Sequence, residues 1–145
     1  MTRLLRIVDA YLGMPKELRQ KFLHDHWGFN CTCAFCRAPE AETAASDARR
    51  FSIVDVRDAI KEARKEGHFD KALDLSNRLL SLYEQEEMEP LIPDFHEALA
   101  NLHLDLEDID AAEKHARLAL EGHLRFYSPD NAQIEKIQQL LDSLA

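Results

Sequence analysis

Three cysteines, Cys31, Cys33 and Cys36, fall within six consecutive residues and are the only cysteines in the chain. Thiolates are soft donors, and three of them spaced Cys-x-Cys-x-x-Cys reach one tetrahedral ion if the backbone wraps around it. Zinc is the soft, redox-silent ion expected there. A structural zinc takes four ligands. His24 and His26 precede the cluster, and each is either the fourth ligand or a solvated side chain on a helix face. The competing account, three unrelated buried thiols, requires a chance clustering of every cysteine in the sequence. Three is also an odd number in too short a span for a disulfide framework, so the expected compartment is reducing, cytosol or nucleus.

The elements that must hold this cluster are legible on both sides of it. Pro15 sits where a helix favours its first residue. Leu18 and Phe22 follow at i, i+4, and Gly28 stops the helix near His26 or Trp27. Upstream, the apolar run from Leu4 to Val8 is too short for periodicity to separate strand from helix. Downstream, the small polar stretch from Ala38 to Ser46 reads as a connector. Five helices are expected after it. The first is capped at Ser52 with Asp55 behind it, Phe51 stapled onto Val56, and Val56, Ala59, Ile60 and Ala63 on one face. Gly67 ends it. The second runs from about Asp70 to Glu86 with Ala72, Leu75, Leu79 and Leu82 in a stripe. Pro90 and Pro93 then break the chain, and Asp94 with Glu97 opens a third helix carrying Phe95, Leu99 and Leu102. The fourth runs from about Asp110 to Leu124. Ser128 and Pro129 start the fifth, which carries Ile134, Ile137 and Leu141.

A weak repeat runs through the helical part. Phe69-Asp70-Lys71-Ala72 resembles Ile109-Asp110-Ala111-Ala112 forty residues later, and Leu80 corresponds to Leu120. This is the pattern of tetratricopeptide-like helical hairpins, at a period longer than the usual value of about 34; the alternative is an ordinary antiparallel bundle.

The chain has 145 residues, 46% hydrophobic and 31% charged, enough for a packed core and unlike a disordered segment. Four Gly and five Pro are few for an all-β chain. No apolar run approaches the roughly 18 residues of a membrane span, and the start, with Asp9 among its apolar residues, makes a poor signal peptide. The net charge of −9 argues against direct nucleic-acid binding. That charge is uneven. Residues 1–50 carry 8 Lys+Arg and 6 Asp+Glu, whereas residues 51–145 carry 10 and 21, a net of −11. The division expected is therefore a cysteine-bearing region over 1–50 and an acidic helical region over 51–145. No nucleophile stands at a suggestive distance from a base, and there is no phosphate loop or basic patch, so hydrolase, nuclease and oxidoreductase readings find no support.

Lys16-Glu17-Leu18-Arg19-Gln20-Lys21-Phe22-Leu23 followed by Trp27-Gly28-Phe29-Asn30-Cys31-Thr32-Cys33-Ala34-Phe35-Cys36 resembles the end of a SET domain and its post-SET zinc motif. The family is that of the SET and MYND (SMYD-type) protein-lysine methyltransferases and their fungal relatives, in which a tetratricopeptide-like helical domain comes next. The resemblance implies a mainly α chain: a zinc-bound post-SET-like loop, then a tetratricopeptide-like antiparallel helical array. It implies that Cys31, Cys33 and Cys36 are zinc ligands. It also implies that Trp27 and Phe29 border the methyl-donor and lysine pocket, Phe29 stacking on the adenine of S-adenosylmethionine; simple packing around the zinc loop is the alternative for both. The acidic helical region would wall a substrate groove and favour a basic, lysine-bearing protein such as a histone by its field, or be no more than a solvated surface.

The sequence departs from that family in three places. It has no fourth Cys beside an Asn-His pair and no Gly-x-Gly of the methyl-donor site. The family's tyrosine ahead of the helix would align near Ile7 or Asp9, with Tyr11 out of register. The expectation is thus the C-terminal part of a protein-lysine methyltransferase, not catalytic alone because the SET core is missing. The alternative is a zinc-stapled interaction module that binds a peptide or protein partner. Neither reading involves nucleic acid or a membrane.

Overall fold

The structure, a computed structural model, describes residues 14–145. The run from Leu4 to Val8 and the tyrosine position near Ile7, Asp9 and Tyr11 lie outside them. The described chain is mainly helical and contains no strand. Its elements are α1 (Lys16–Trp27), α2 (Glu40–Lys65), α3 (Phe69–Gln85), a 3-10 turn (Glu89–Leu91), α4 (Ile92–Asp105), α5 (Ile109–Phe126) and α6 (Ala132–Leu144). None of the described helices is long and apolar enough to cross a membrane. Packing divides the chain into two compact units, Met1–Asp55 and Val56–Ala145.

The boundary falls inside α2. The stretch from Ala38 to Ser46, expected as a connector, is helical from Glu40 onward. Its Ala, Glu and Thr residues are small but not helix-breaking, and Pro39 supplies the start: its carbonyl accepts from Thr43 N–H at 3.0 Å. Ser52 is therefore interior to the helix rather than its cap, and Phe51 is 55% exposed instead of stapled. Pro93 likewise lies within the first turn of α4, where its missing N–H costs nothing.

In the first unit, α1 has no side-chain cap of its own at Pro15. Asp47 of α2 substitutes, accepting from Lys16 N–H at 2.9 Å. Gly28, at φ 70, closes α1 by donating its N–H to His24 O at 2.8 Å. That left-handed conformation is one a side-chain-bearing residue adopts at a cost, so the glycine fixes where the cysteine loop begins.

In the second unit, α4 packs mainly against α5, α5 against α6, and α3 against α4. Most of the stripes expected on α3, α4 and α6 are buried: Ala72, Leu79 and Leu82, with Leu75 only half-buried; Phe95, Leu99 and Leu102; Ile134, Ile137 and Leu141. On α5 the buried face is made of Ala112, Ala116 and Ala119, all 0% exposed, and His123, while Ile109 and Leu124 are about half exposed. Alanine keeps the axes close, and Ile137 and Leu141 of α6 fill the space against Ala100, Ala116 and Ala119. Polar packing lines part of the α4–α5 contact. His96 Nδ1 stands 3.1 Å from His115 Nδ1, and the His115 ring also stacks on His103 at 5.2 Å. Burial, then the neighbouring His96, His103 and Lys114, pull His115 down to about 4.

Three turns share one geometry. Gly67, Glu87 and Glu107 all have positive φ, and after each the next N–H reaches back five residues: His68 to Ala63, Met88 to Tyr83, Asp108 to His103, at 2.8–2.9 Å. These are Schellman-type helix ends. Only Gly67 announced itself in the sequence.

Gly122 of α5 lies hard against Pro93 of α4. A Cβ there would meet Pro93 Cγ at 2.6 Å. Gly→Ala in a helix ordinarily gains up to about 1 kcal/mol. Here the rigid proline ring cannot swing away, so Gly122→Ala should instead destabilise by about 1–3 kcal/mol, read as a lower midpoint in thermal or urea unfolding. A midpoint equal to or above wild type would show that α4 and α5 can separate freely at this point.

Candidate metal centre

The loop between α1 and α2 is held at both ends before any ion is considered. Gln20, on α1, clamps the peptide of Cys31: its Nε2 donates to Cys31 O and its Oε1 accepts from Cys31 N–H, both at 2.7 Å. At the other end, Arg37 N–H donates to Cys33 O at 3.0 Å, folding Cys33–Cys36 into a turn. The three Sγ atoms converge within 4.8 Å of one another, and none is in a disulfide. Sulfurs on one tetrahedral zinc, at about 2.3 Å from it, stand about 3.8 Å apart, so small side-chain rotations complete the set. Cys36 is buried, Cys31 half-buried and Cys33 exposed. The three cysteines therefore form a group able to hold a metal ion, with a donor set compatible with zinc.

The electrostatics differ from thiol to thiol. The Cys36 N–H, then the Cys31 thiol, pull Cys33 down to about 7, toward the thiolate that binds metals. Burial pushes Cys36 up, opposed by the guanidinium of Arg19. Arg19 Nη2 lies 3.9 Å from Cys36 Sγ, and its Nη1 donates to Met14 O at 2.6 Å. The Arg19 and Arg50 guanidinium carbons lie 4.4 and 4.7 Å from the centroid of Phe35, in the middle of the cysteine motif. Both arginines are buried, at 7% and 4% exposure, an uncommon state for a cation unless it is paired or stacked.

The other residues singled out in the sequence are placed less centrally. His24 and His26 are not part of the sulfur group, and among the described residues no His, Asp or Glu joins it as a fourth donor. His24 sits beside Asp25, at 3.5 Å; His26 stacks on Phe22 at 3.7 Å with its Nδ1 3.0 Å from Phe22 O. Trp27 packs edge-on against Phe22 at 5.5 Å but remains 50% exposed, and Phe29 is 49% exposed. Of the residues that shape the loop, Arg19, Gln20 and Phe35 stood inside the quoted motif with no role assigned to them, and Arg50 lay outside it. An arginine and a glutamine adjacent on a basic amphipathic helix look like solvated positions until the loop folds back over them.

No family model, no curated protein and no solved structure matches this chain.

Proposed function

We propose that this chain is the zinc-bearing and helical C-terminal portion of a SET-type protein-lysine methyltransferase, working with a SET core that supplies the methyl-donor pocket. The observation that carries the reading is the convergence of Cys31, Cys33 and Cys36 on the loop between α1 and α2, which Gln20 of α1 holds. The repeated helix ends at Gly67, Glu87 and Glu107 support a tetratricopeptide-like arrangement of the second unit. The two half-exposed aromatics, Trp27 and Phe29, support a role facing another surface, with Phe29 against the adenine of S-adenosylmethionine. Zinc would be held by the three cysteines, fixing the loop's shape; the residues of this chain orient that ion through Gln20 and Arg19. The acidic second unit would draw a basic, lysine-bearing substrate such as a histone.

One consequence follows by subtraction. A single stacked aromatic contributes on the order of 1 kcal/mol, and micromolar affinity needs roughly 8 kcal/mol. The chain alone should therefore neither bind S-adenosylmethionine at micromolar strength nor methylate a basic protein. Isothermal titration at high protein concentration and a methyl-transfer assay on a histone are the measurements; saturable binding would mean that residues 1–30 build a site of their own.

A groove in the second unit favours a second reading, an interaction module. A cavity of about 420 Å³ between α2, α3 and α4 has Ile60, Leu79 and Phe95 in its wall, with Arg57, Lys61, Arg64 (paired with Asp105 at 2.6 Å) and one acid, Asp94, beside them. Basic side chains around an apolar wall suit an acidic peptide with an apolar anchor. Joining the chain to a SET core that carries the fourth cysteine separates the two. Methyl transfer by the fusion supports the first reading; a zinc-loaded fusion without activity supports the second.

A further inference from the structure

Among the described buried polar residues, His123 on α5 is the least exposed, at 2%. Its Nε2 is sealed from solvent and has no hydrogen-bond partner. A buried polar atom left in that state is uncommon in a folded protein and calls for a reason. The atom faces two carboxylates. Asp94 Oδ1 lies 3.4 Å from it and Glu97 Oε2 4.0 Å from it. Asp94 and Glu97 are three residues apart on α4, hence on one face, and their oxygens and the imidazole nitrogen all lie within 4.8 Å of one another.

An ion pair alone is a poor account of this arrangement. Neither carboxylate makes a hydrogen bond with Nε2; with the ring hydrogen on Nδ1, Nε2 presents a lone pair, and a cation between it and the two carboxylates satisfies all three groups. Donors on one ion at about 2.1 Å stand about 3.0–3.4 Å apart, so the His123–Asp94 separation already fits and Glu97 needs only a small rotation. The surroundings fit as well. Glu97 is oriented from α6, its Oε1 3.0 Å from Lys136 Nζ and its Oε2 hydrogen-bonded by Gln133 Nε2. Such outer hydrogen bonds are what hold ligating carboxylates in place. The Tyr127 ring lies 5.5 Å from that of His123, and the Asp94 side chain, 57% exposed, leaves a way in from solvent.

We infer that Asp94, Glu97 and His123 form a second site, for a first-row divalent cation, with one nitrogen and two oxygen donors on one side of the ion and its remaining positions left to water or a ligand. Imidazole with carboxylates suits Mn²⁺, Fe²⁺ or Zn²⁺, whereas the cysteine loop selects softer ions. The site is independent of the cysteine loop and of the methyltransferase reading.

Mn²⁺ is the probe, because thiolates compete poorly for it. The full chain is titrated with Mn²⁺ and the free ion followed by electron paramagnetic resonance. One saturable Mn²⁺ per chain is expected, unchanged in Cys33→Ser. Asp94→Asn removes a ligand at an exposed position and keeps the side chain's size; its helical circular dichroism should match wild type, and affinity should drop more than about tenfold. Mn²⁺ should also raise the melting temperature of wild type and not of Asp94→Asn. Binding of equal strength in wild type and Asp94→Asn, loss of binding in Cys33→Ser, or no saturation below millimolar Mn²⁺ would each overturn the inference.

Discussion

Purified without chelator, the chain should retain zinc at its thiols, and Cys33→Ser should lose it. The donor set explains why the effect is large. Three sulfurs already lie within 4.8 Å of one another, and the Cys33 thiol is drawn down to about 7 by the Cys36 N–H. Serine removes the most exposed of the three while changing the loop's shape little. Losing an outer partner of a metal ligand costs about 10–100-fold in affinity, so losing a ligand itself should exceed about 100-fold. Co²⁺ substitution reads the thiol site separately from nitrogen and oxygen sites, because only thiolates give sulfur-to-cobalt charge-transfer absorption. That band should be present in wild type and strongly reduced in Cys33→Ser. Equal bands, or none in either protein, would show that the loop is not a metal centre. Zinc held more weakly than in a closed four-ligand site would fit the absence of a fourth protein donor among the described residues.

Ile137→Ala should be the most damaging conservative change in the second unit. Ile137 is 1% exposed and packs with Ala100, Ala116 and Ala119. Truncating a buried isoleucine costs about 2–5 kcal/mol, more when the cavity cannot collapse. Alanines on the opposite side have no atoms to spare for filling it, which puts this site toward the upper end. For a unit of this size the melting temperature should fall by roughly 10–20 °C, measured by circular dichroism. Leu140→Ala, at a half-buried position on the same helix, is the control and should cost much less. Similar losses at the two positions would mean that α6 is not anchored through Ile137.

The sequence carried the core of α3, α4 and α6 because their leucines, isoleucines and phenylalanine repeat at helical spacing and sit on one side only. It misled at the start of α2, where small polar residues resemble a linker although nothing among them breaks a helix; what decides is Pro39 ahead of them and Asp47 reaching across to cap α1. The left-handed residues Glu87 and Glu107 carried no glycine signal, since the turn is imposed by the helices it joins. At the metal centre the three sulfurs were legible from spacing. Their supports were not: Gln20, Arg19 and Arg50 act through contacts across 11 to 36 residues, which no local pattern encodes. The Asp94–Glu97–His123 group was read only in part, as a capping pattern, because its third member arrives from another helix.

Gln20 gives the cysteine loop a property beyond its shape. Its two hydrogen bonds to Cys31 close a ring of chain running from α1 around Gly28 and back. Closing such a ring has an entropic cost that grows only slowly with length, and the two Gln20 bonds oppose it. In small zinc domains that are unfolded without metal, ion capture and chain ordering are one event. Here two of the bonds that order the loop involve no thiol, so Gln20 contributes part of that ordering separately from the sulfurs that would hold the ion.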